Sequence, residues 1–337
     1  MREYFKQNNI STHANNSMVI KTIVMLLLFI VPIICLSIAD ISSIWSLFLL
    51  YIISGFGMAG IGMGIMHDAI HGSYSKSQTL NRFLGYSMNI IGANATVWKL
   101  QHNVLHHTYT NIHDADDDIN MPFFLRFSPH TKKYKIHKFQ FLYVWFFYSI
   151  STISWITAKD FIRLTRYQKM GLIDTRIEFQ KDLLYLTLWK LVYYAYVIVL
   201  PIIILPFAPW ITILAFISMH MVTGLVISCV FQVAHIMPGI DYPQANIDGE
   251  INSNWTVHQL LTTSNFSPKS SIFSWLIGGL NYQVEHHLFP NICHVHYKAI
   301  SPIVKQTALD YGIPYNEKST FVAALSDHIK MLKFLGR

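Results

Sequence analysis

Charge is scarce in this chain. Only 13% of its 337 residues are Asp, Glu, Lys or Arg, about half the roughly 25% of a soluble globular protein. Hydrophobic residues make up 52%, and mean hydropathy is positive. This balance excludes an ordinary water-soluble domain and points to a membrane protein. Cysteine is nearly missing too. Cys35, Cys229 and Cys293 are scattered, with no CxxC pair, which argues against a disulfide framework and against a thiolate metal site. No internal repeat and no low-complexity tract is present. The polar start, 1–16, lacks the character of a cleavable signal, and the first apolar segment is too long for a signal h-region. The net charge of +7 is dispersed along the chain, so no nucleic-acid partner is expected.

Long apolar stretches are what the chain does have. Measured against the ~20 residues a spanning helix needs, the sequence predicts four transmembrane helices, at about 22–39, 44–66, 184–205 and 210–231. No charged residue occurs from 191 to 240, and Pro201, Pro206 and Pro209 mark a turn inside that stretch. All 25 Lys and Arg residues lie before the first span, between His67 and Lys190, or after His235, so the two hairpin loops carry none. The positive-inside rule then puts both termini and the long middle segment in the cytoplasm. The apolar, aromatic stretch 139–157 is flanked by basic residues and rich in Tyr and Trp, which suits a helix lying at the membrane interface. The expected fold is all-α, with four spans in two hairpins and a cytoplasmic helical cap formed by 67–183 and 232–337. The whole chain, 1–337, reads as one membrane domain.

Histidine is concentrated where the apolar stretches end. His67 and His71 form one cluster, His102, His106 and His107 a second, and His286 and His287 a third, with His235 isolated at the end of the fourth span. Residues four apart share a helix face, so His67/His71 and His102/His106 can each chelate one ion. His107 lies about 100° round from His106 and can reach or bridge toward a second. Eight imidazoles fill two metal sites, whereas one closed tetrahedral zinc site would leave half of them idle. An HxxxH pair alone is weak, since 17 histidines in 337 residues produce roughly one by chance. Three clusters at one membrane face are not so easily produced. Metal-bound imidazoles usually give their second N–H to a carboxylate or carbonyl; Asp68, Glu285 and the Asp114–Asp118 run are the candidates. His220, inside the fourth span, is expected to be hydrogen-bonded and structural. His258, His294 and His296 are expected to be supporting or structural, and His13, His113, His130, His137 and His328 to lie at the surface.

With these motifs in hand, the sequence resembles the membrane-bound fatty acid desaturases, a non-haem di-iron family marked by three histidine boxes. The matching stretches are HDAIHGSYS (67–75), WKLQHNVLHHTYTNI (98–112) and LNYQVEHHLFP (280–290). Phe231–His235, Trp255, Gln259 and Thr262–Asn265 also match one branch. The resemblance covers the chain from about the second span to Pro314. It implies two non-haem irons held by His67, His71, His102, His106, His107, His235, His286 and His287. Gln283 stands where other branches place a further imidazole, and Gln232 is a candidate holder of an iron-bound water. O2 is the implied co-substrate, and a separate ferredoxin or cytochrome b5 type protein the implied electron donor, because no His-Pro-Gly-Gly haem motif occurs in the sequence. Glutamine at 283 resembles the front-end branch, which acts between an existing double bond and the carboxyl end. The three-residue gap between His102 and His106 departs from most front-end members. It is similar to bacterial relatives of the linoleoyl-CoA desaturase group, which implies a bacterial inner membrane.

The implied reaction is the O2-dependent introduction of a cis double bond into a fatty acyl-CoA or acyl-lipid. An unactivated methylene offers acid–base chemistry nothing to act on, so a strong oxidant is needed. A hydroxylase on the same scaffold and a zinc-binding membrane receptor or sensor are the alternatives, and imidazole ligation by itself permits zinc or copper. The acyl chain needs a narrow apolar tunnel. The glycine-rich stretch Gly55–Gly64 is a candidate wall, although its glycines equally suit close helix packing. Basic residues around Lys132–Lys138 are candidates to meet acyl-carrier phosphates or anionic headgroups.

Overall fold

In the computed structural model, which describes residues 1–246, 250–251 and 253–337, the chain is mostly helical. Among the described residues, five helices are long and apolar enough to cross a membrane: α1 (Asn16–Ile38), α2 (Ile44–Ile70), α3 (Lys135–Lys169), α4 (Arg176–Ile204) and α5 (Pro209–His235). Local chemistry sets several of their ends. The Asn15 side chain accepts the Met18 N–H at the start of α1, Thr175 and Glu178 form a capping box at α4, and Pro209 opens α5, where its missing N–H costs nothing. Pro201 sits inside α4, where proline leaves the carbonyl four residues back without a partner. The Tyr51 hydroxyl donates to that carbonyl, on Val197, at 2.7 Å.

Helices α2 and α5 outrun the expected spans. Each continues as one rod past the apolar stretch, so that α2 carries His67 and α5 carries His235. Helix α5 lies at the centre, packed along α2 on one side and α3 on the other, with α1 against the far side of α2. Small residues permit the closest approaches. A Cβ on Gly57 would stand 2.4 Å from the Phe29 nitrogen, and one on Gly224 2.5 Å from the Ser149 carbonyl oxygen.

Helix α3 is longer than the expected 139–157 segment and carries a π-helical turn at Trp155–Lys159. Its first limb runs antiparallel to α5, with the Thr152 hydroxyl donating to the His220 carbonyl at 2.9 Å and the Ser151 and Ser228 hydroxyls 3.2 Å apart. At the π turn, Lys190 of α4 donates to the Trp155 carbonyl and to Asp160, both at 2.9 Å. Both ends of α3 meet the same short segment: His137 bonds the Phe123 carbonyl and Gln140 the Arg126 backbone, while Arg166 bonds Asp117 and the Asp114 carbonyl.

His220 is buried between the Tyr193 hydroxyl (2.8 Å) and Thr152 (3.2 Å), the structural role expected of it. His137 and His328 are not surface residues. Both are buried, because the C-terminal helix α6 (Phe321–Gly336) folds back against α3 and α5. His328 joins the Ile236 carbonyl (2.8 Å) to the Tyr148 hydroxyl (2.9 Å). The tail also contributes the helix Tyr297–Asp310. A two-residue parallel pairing of Asn265–Phe266 with Glu317–Lys318 ties the tail to the loop before the third histidine cluster.

Candidate metal centre

Four backbone segments deliver the eight histidines to one point. His67 stands on the last turn of α2, after a π-helical turn at Ile61–Ile65, and His71 caps that helix. Their rings are 4.8 Å apart between centroids, as the spacing predicts. The second cluster behaves differently. Residues Leu100–His106 form a π-helical turn, in which i→i+5 hydrogen bonding brings residues five apart into line. His102 is therefore paired with His107, Nε2 to Nε2 at 3.2 Å, while His106 serves the other group. The expected His102/His106 pairing persists beside this one: with Asp118 the two residues bring ligand atoms within 4.8 Å of one another, and their rings stack at 5.3 Å.

Two groups result. His67, His71, His102 and His286 bring ring nitrogens within 4.8 Å of one another, and so do His106, His235 and His287. His107 lies between them, with Nε2 3.0 Å from that of His286 and its ring stacked on His287 at 4.4 Å. The adjacent His286 and His287 divide, one to each group, and His107 comes within 4.8 Å of both.

The nitrogens cannot satisfy one another by hydrogen bonding alone. Nε2 atoms of His102, His107 and His286 form a triangle with sides of 3.2, 3.0 and 3.4 Å. A neutral imidazole nitrogen is either donor or acceptor, so at least one side of any such triangle joins two like partners. Nε2 of His71, His106, His235 and His287 is buried with no partner at all. Two metal–nitrogen bonds of about 2.1 Å, meeting at one ion, bring their nitrogens to roughly the separations seen in the triangle. The donor set therefore fits transition-metal ions.

The outer nitrogens are fixed by neighbours. Nδ1 of His106 lies 3.1 Å from both oxygens of Asp116 and 3.5 Å from Asp118. Nδ1 of His235 meets the Thr262 carbonyl at 3.2 Å, and Nδ1 of His287 meets Oε1 of Gln259 at 2.8 Å. All three rings thus turn a bare Nε2 inward. Burial alone would lower the His106 ring, but the Asp116 carboxylate outweighs it and pushes the ring up to about 9, so a metal ion bound at its Nε2 would displace a proton. Burial and the neighbouring rings hold His102, His107, His286 and His287 well below the ordinary imidazole value. Those rings stay neutral, with lone pairs available. Replacing Asp116 by asparagine should lower metal affinity about 10- to 100-fold, measured by competition with a chelator, and unchanged affinity would remove Asp116 from this role.

The remaining candidates divide. Gln283 lies beside His235 with its Oε1 buried and unpartnered, while its Nε2 donates to the Leu280 carbonyl at 2.8 Å. Asp68 binds the ring and backbone N–H of His294, at 2.8 and 3.1 Å, and stands 3.7 Å from Nδ1 of His67. Gln232 lines the wall of a cavity next to His235. Glu285 does not brace a histidine. It faces away from the cluster and accepts from Asn265 and Tyr315, both at 2.7 Å, because adjacent residues on the short helix Gln283–Leu288 point about 100° apart. Gln259 and Thr262 of the helix Trp255–Thr262, and Asn111, whose amide donates to the His235 carbonyl at 3.0 Å, carry support roles that spacing did not assign. The sequence signals Gln259 and Thr262 only through their place in the stretches that carry the resemblance, without assigning them a role.

A cavity of about 170 Å³ opens beside His102, His106 and His235 and runs between apolar side chains including Met58, Met66 and Ile227. Of the glycine-rich stretch Met58 and Gly62 line it; Gly55, Gly57 and Gly60 are closed off by packing.

The family model for fatty acid desaturases matches residues 42–319, which contain every histidine of both groups. The chain is a fatty acid desaturase. The desaturase is similar to the sn-1 linoleoyl-lipid 6-desaturase of Arthrospira platensis, 33% identical over 332 residues that cover 98% of this chain and 89% of the relative. It is also similar to the acyl-lipid (8-3)-desaturase of Physcomitrium patens, at 32% identity covering 100% of this chain and 70% of the relative. The sn-1 linoleoyl-lipid 6-desaturase of Synechocystis is 31% identical, covering 99% and 92%. These relatives fit the front-end branch. The desaturase is an oxidoreductase that introduces double bonds into fatty acyl chains.

Proposed function

We propose that the desaturase is a front-end acyl-lipid desaturase whose histidines hold two iron ions at the cytoplasmic face of a four-span membrane bundle. The observation that carries this reading is the division of eight buried imidazoles into two adjoining groups joined by His107. His67, His71, His102 and His286 hold one ion, and His106, His235 and His287 the other, with the Gln283 amide oxygen beside the second. Bound iron with O2 supplies an oxidant able to take hydrogen from an unactivated methylene. The chain's own residues present the imidazole lone pairs, fix the tautomers through Asp116, Gln259 and the Thr262 carbonyl, and keep water from the acyl cavity with an apolar wall. Electrons come from a separate ferredoxin or cytochrome b5 type protein.

Chain parity supports four spans. Three helices long enough to cross lie between His107 and His235, yet histidines from both ends meet, so an even number of these helices crosses. Helix α3, whose two ends return to 114–126, is the one that stays on a single face. Its exposed Phe139, Leu142 and Phe146 suit the interface. The cap and both termini then share the cytoplasmic side of a bacterial inner membrane. An acyl-lipid substrate is favoured because the relatives described above carry that word in their names.

Expression in a host without polyunsaturated lipids, fed linoleate, tests this reading. Fatty-acid profiling is expected to show a new double bond between the existing ones and the carboxyl end, carried on glycerolipid. Hydroxylated chains, or no new product with iron and donor supplied, would sink it.

A further inference from the structure

We propose that Lys159, Trp155 and Gln101 form a polar subsite in the acyl cavity that binds the carbonyl group of the acyl chain, fixing the number of carbons between it and the metal centre. This rests on the front-end reading above.

All three residues line the cavity that reaches His102, His106 and His235, and each has hydrogen-bonding capacity left unused. The indole N–H of Trp155 is buried without a partner, and so is Oε1 of Gln101, a residue only 4% exposed. Buried polar atoms are ordinarily paired. The Lys159 ammonium stands 4.7 Å over the Trp155 ring and closes no ion pair or hydrogen bond among the described residues. Carboxylates are near, but other partners hold them. Asp117 takes Arg163, Arg166 and the Tyr167 hydroxyl, Asp160 takes Lys190, and Asp118 takes the Gln101 amide at 2.6 Å and lies beside His106.

The backbone explains the convergence. Trp155 and Lys159 are the first and last residues of the π turn in α3, a distortion frequent at functional sites. Lys190 holds the turn through the Trp155 carbonyl, and the Tyr194 hydroxyl holds it through the Ile156 carbonyl at 2.9 Å. The turn is therefore anchored from α4 while its side chains face the cavity.

A few convergent polar groups in a mainly apolar pocket orient a ligand. Two donors, ammonium and indole, match the two lone pairs of a carbonyl oxygen, and the Gln101 oxygen accepts from a neighbouring hydroxyl. A fatty acyl chain has its one polar group at the carboxyl end, as an ester or a thioester. Gln101 and Asp118 adjoin His106, so a carbonyl held there lies a few methylenes from the metals. Front-end placement of the double bond needs such a reference point.

The holoenzyme in lipid nanodiscs, with ferredoxin and a reductant, receives dilinoleoyl phosphatidylcholine in one arm and linoleoyl-CoA in the other. Product double bonds are located by mass spectrometry. Lys159→Met is expected to raise KM about tenfold or more, the loss of a charge-assisted hydrogen bond, and to scatter the bond over neighbouring positions. Lys159→Arg is expected to keep the wild-type position. Trp155→Phe, which keeps the ring bulk and removes the N–H, is expected to give a smaller scatter. The arm with the lower KM identifies ester or thioester as the carbonyl taken. If Lys159→Met and Trp155→Phe both give one isomer at wild-type KM, the subsite is refuted and Lys159 only balances nearby carboxylates. If Lys159→Met does not accumulate, Trp155→Phe decides by the same readings. A wild type forming no double bond in either arm overturns the desaturase reading and the subsite together, whereas unchanged variants of an active wild type overturn the subsite alone.

Discussion

Alanine at His106 or His287 is expected to leave the protein with one tightly held iron instead of two and to cut desaturation more than about 100-fold, beyond the 10- to 100-fold usual for outer-shell changes. Both rings belong to the group completed by His235, and each turns an unpartnered Nε2 inward. Removing either leaves two imidazoles, too few to hold an ion against exchange. The other four-histidine group keeps its ligands, so loss of one ion rather than both is the specific expectation. Alanine at His130, whose exposed ring bonds the Tyr242 carbonyl at 2.8 Å, should change neither quantity. Iron per chain, measured by plasma mass spectrometry beside product yield, reads both effects. Full iron content in both single variants would mean that the second group is not a metal site.

The second large effect separates two glycines five residues apart. A leucine at Gly57 puts its Cβ into the backbone of α1, 2.4 Å from the Phe29 nitrogen. Neither helix can yield locally, and a cost of about 3 kcal/mol or more is expected, at the upper end of overpacking, with little folded protein recovered. At Gly62 the nearest atom to a new Cβ is the Ile227 side-chain tip at 3.4 Å, and beyond it lies the cavity. Gly62→Leu should fold and fill part of that space. Preference is then expected to move toward shorter acyl chains by roughly tenfold or more, the scale of a few lost methylene contacts. Competition between C16 and C18 substrates measures it. An unchanged chain-length profile in a folded Gly62→Leu variant would remove this cavity as the acyl tunnel.

These two residues also show how far the sequence can be read. GFGMAGIGMG announces close approach or a tunnel, but composition does not say which glycine does which; that depends on the rotation of α2 against α1 and α5. The histidine clusters were legible because ligand spacing is a local property. Their partition was less so. A helical wheel pairs His102 with His106, and the π turn at Leu100–His106, invisible in residue type, adds the approach of His102 to His107. Asp116 could be read as one of a run, whereas Gln259 and Thr262 are marked only by the resemblance and without a role, since they lie 28 and 27 residues along the chain from His287 and His235. Glu285 misled for the opposite reason. It adjoins two ligands in sequence, yet its side chain leaves on another face to meet Asn265 and Tyr315. His137 and His328 read as surface residues because nothing local announces that the tail closes over α3.

The π turn at Leu100–His106 also makes this stretch sensitive to its length. Losing any one of Asn103, Val104 or Leu105 would swing His106 and His107 about 100° round the axis, taking each ring out of the ion it serves. Side chains there can be exchanged with modest penalty, but an insertion or deletion cannot. A change of residue count in that interval must therefore come with a change in the turn itself, so that both rings keep their directions.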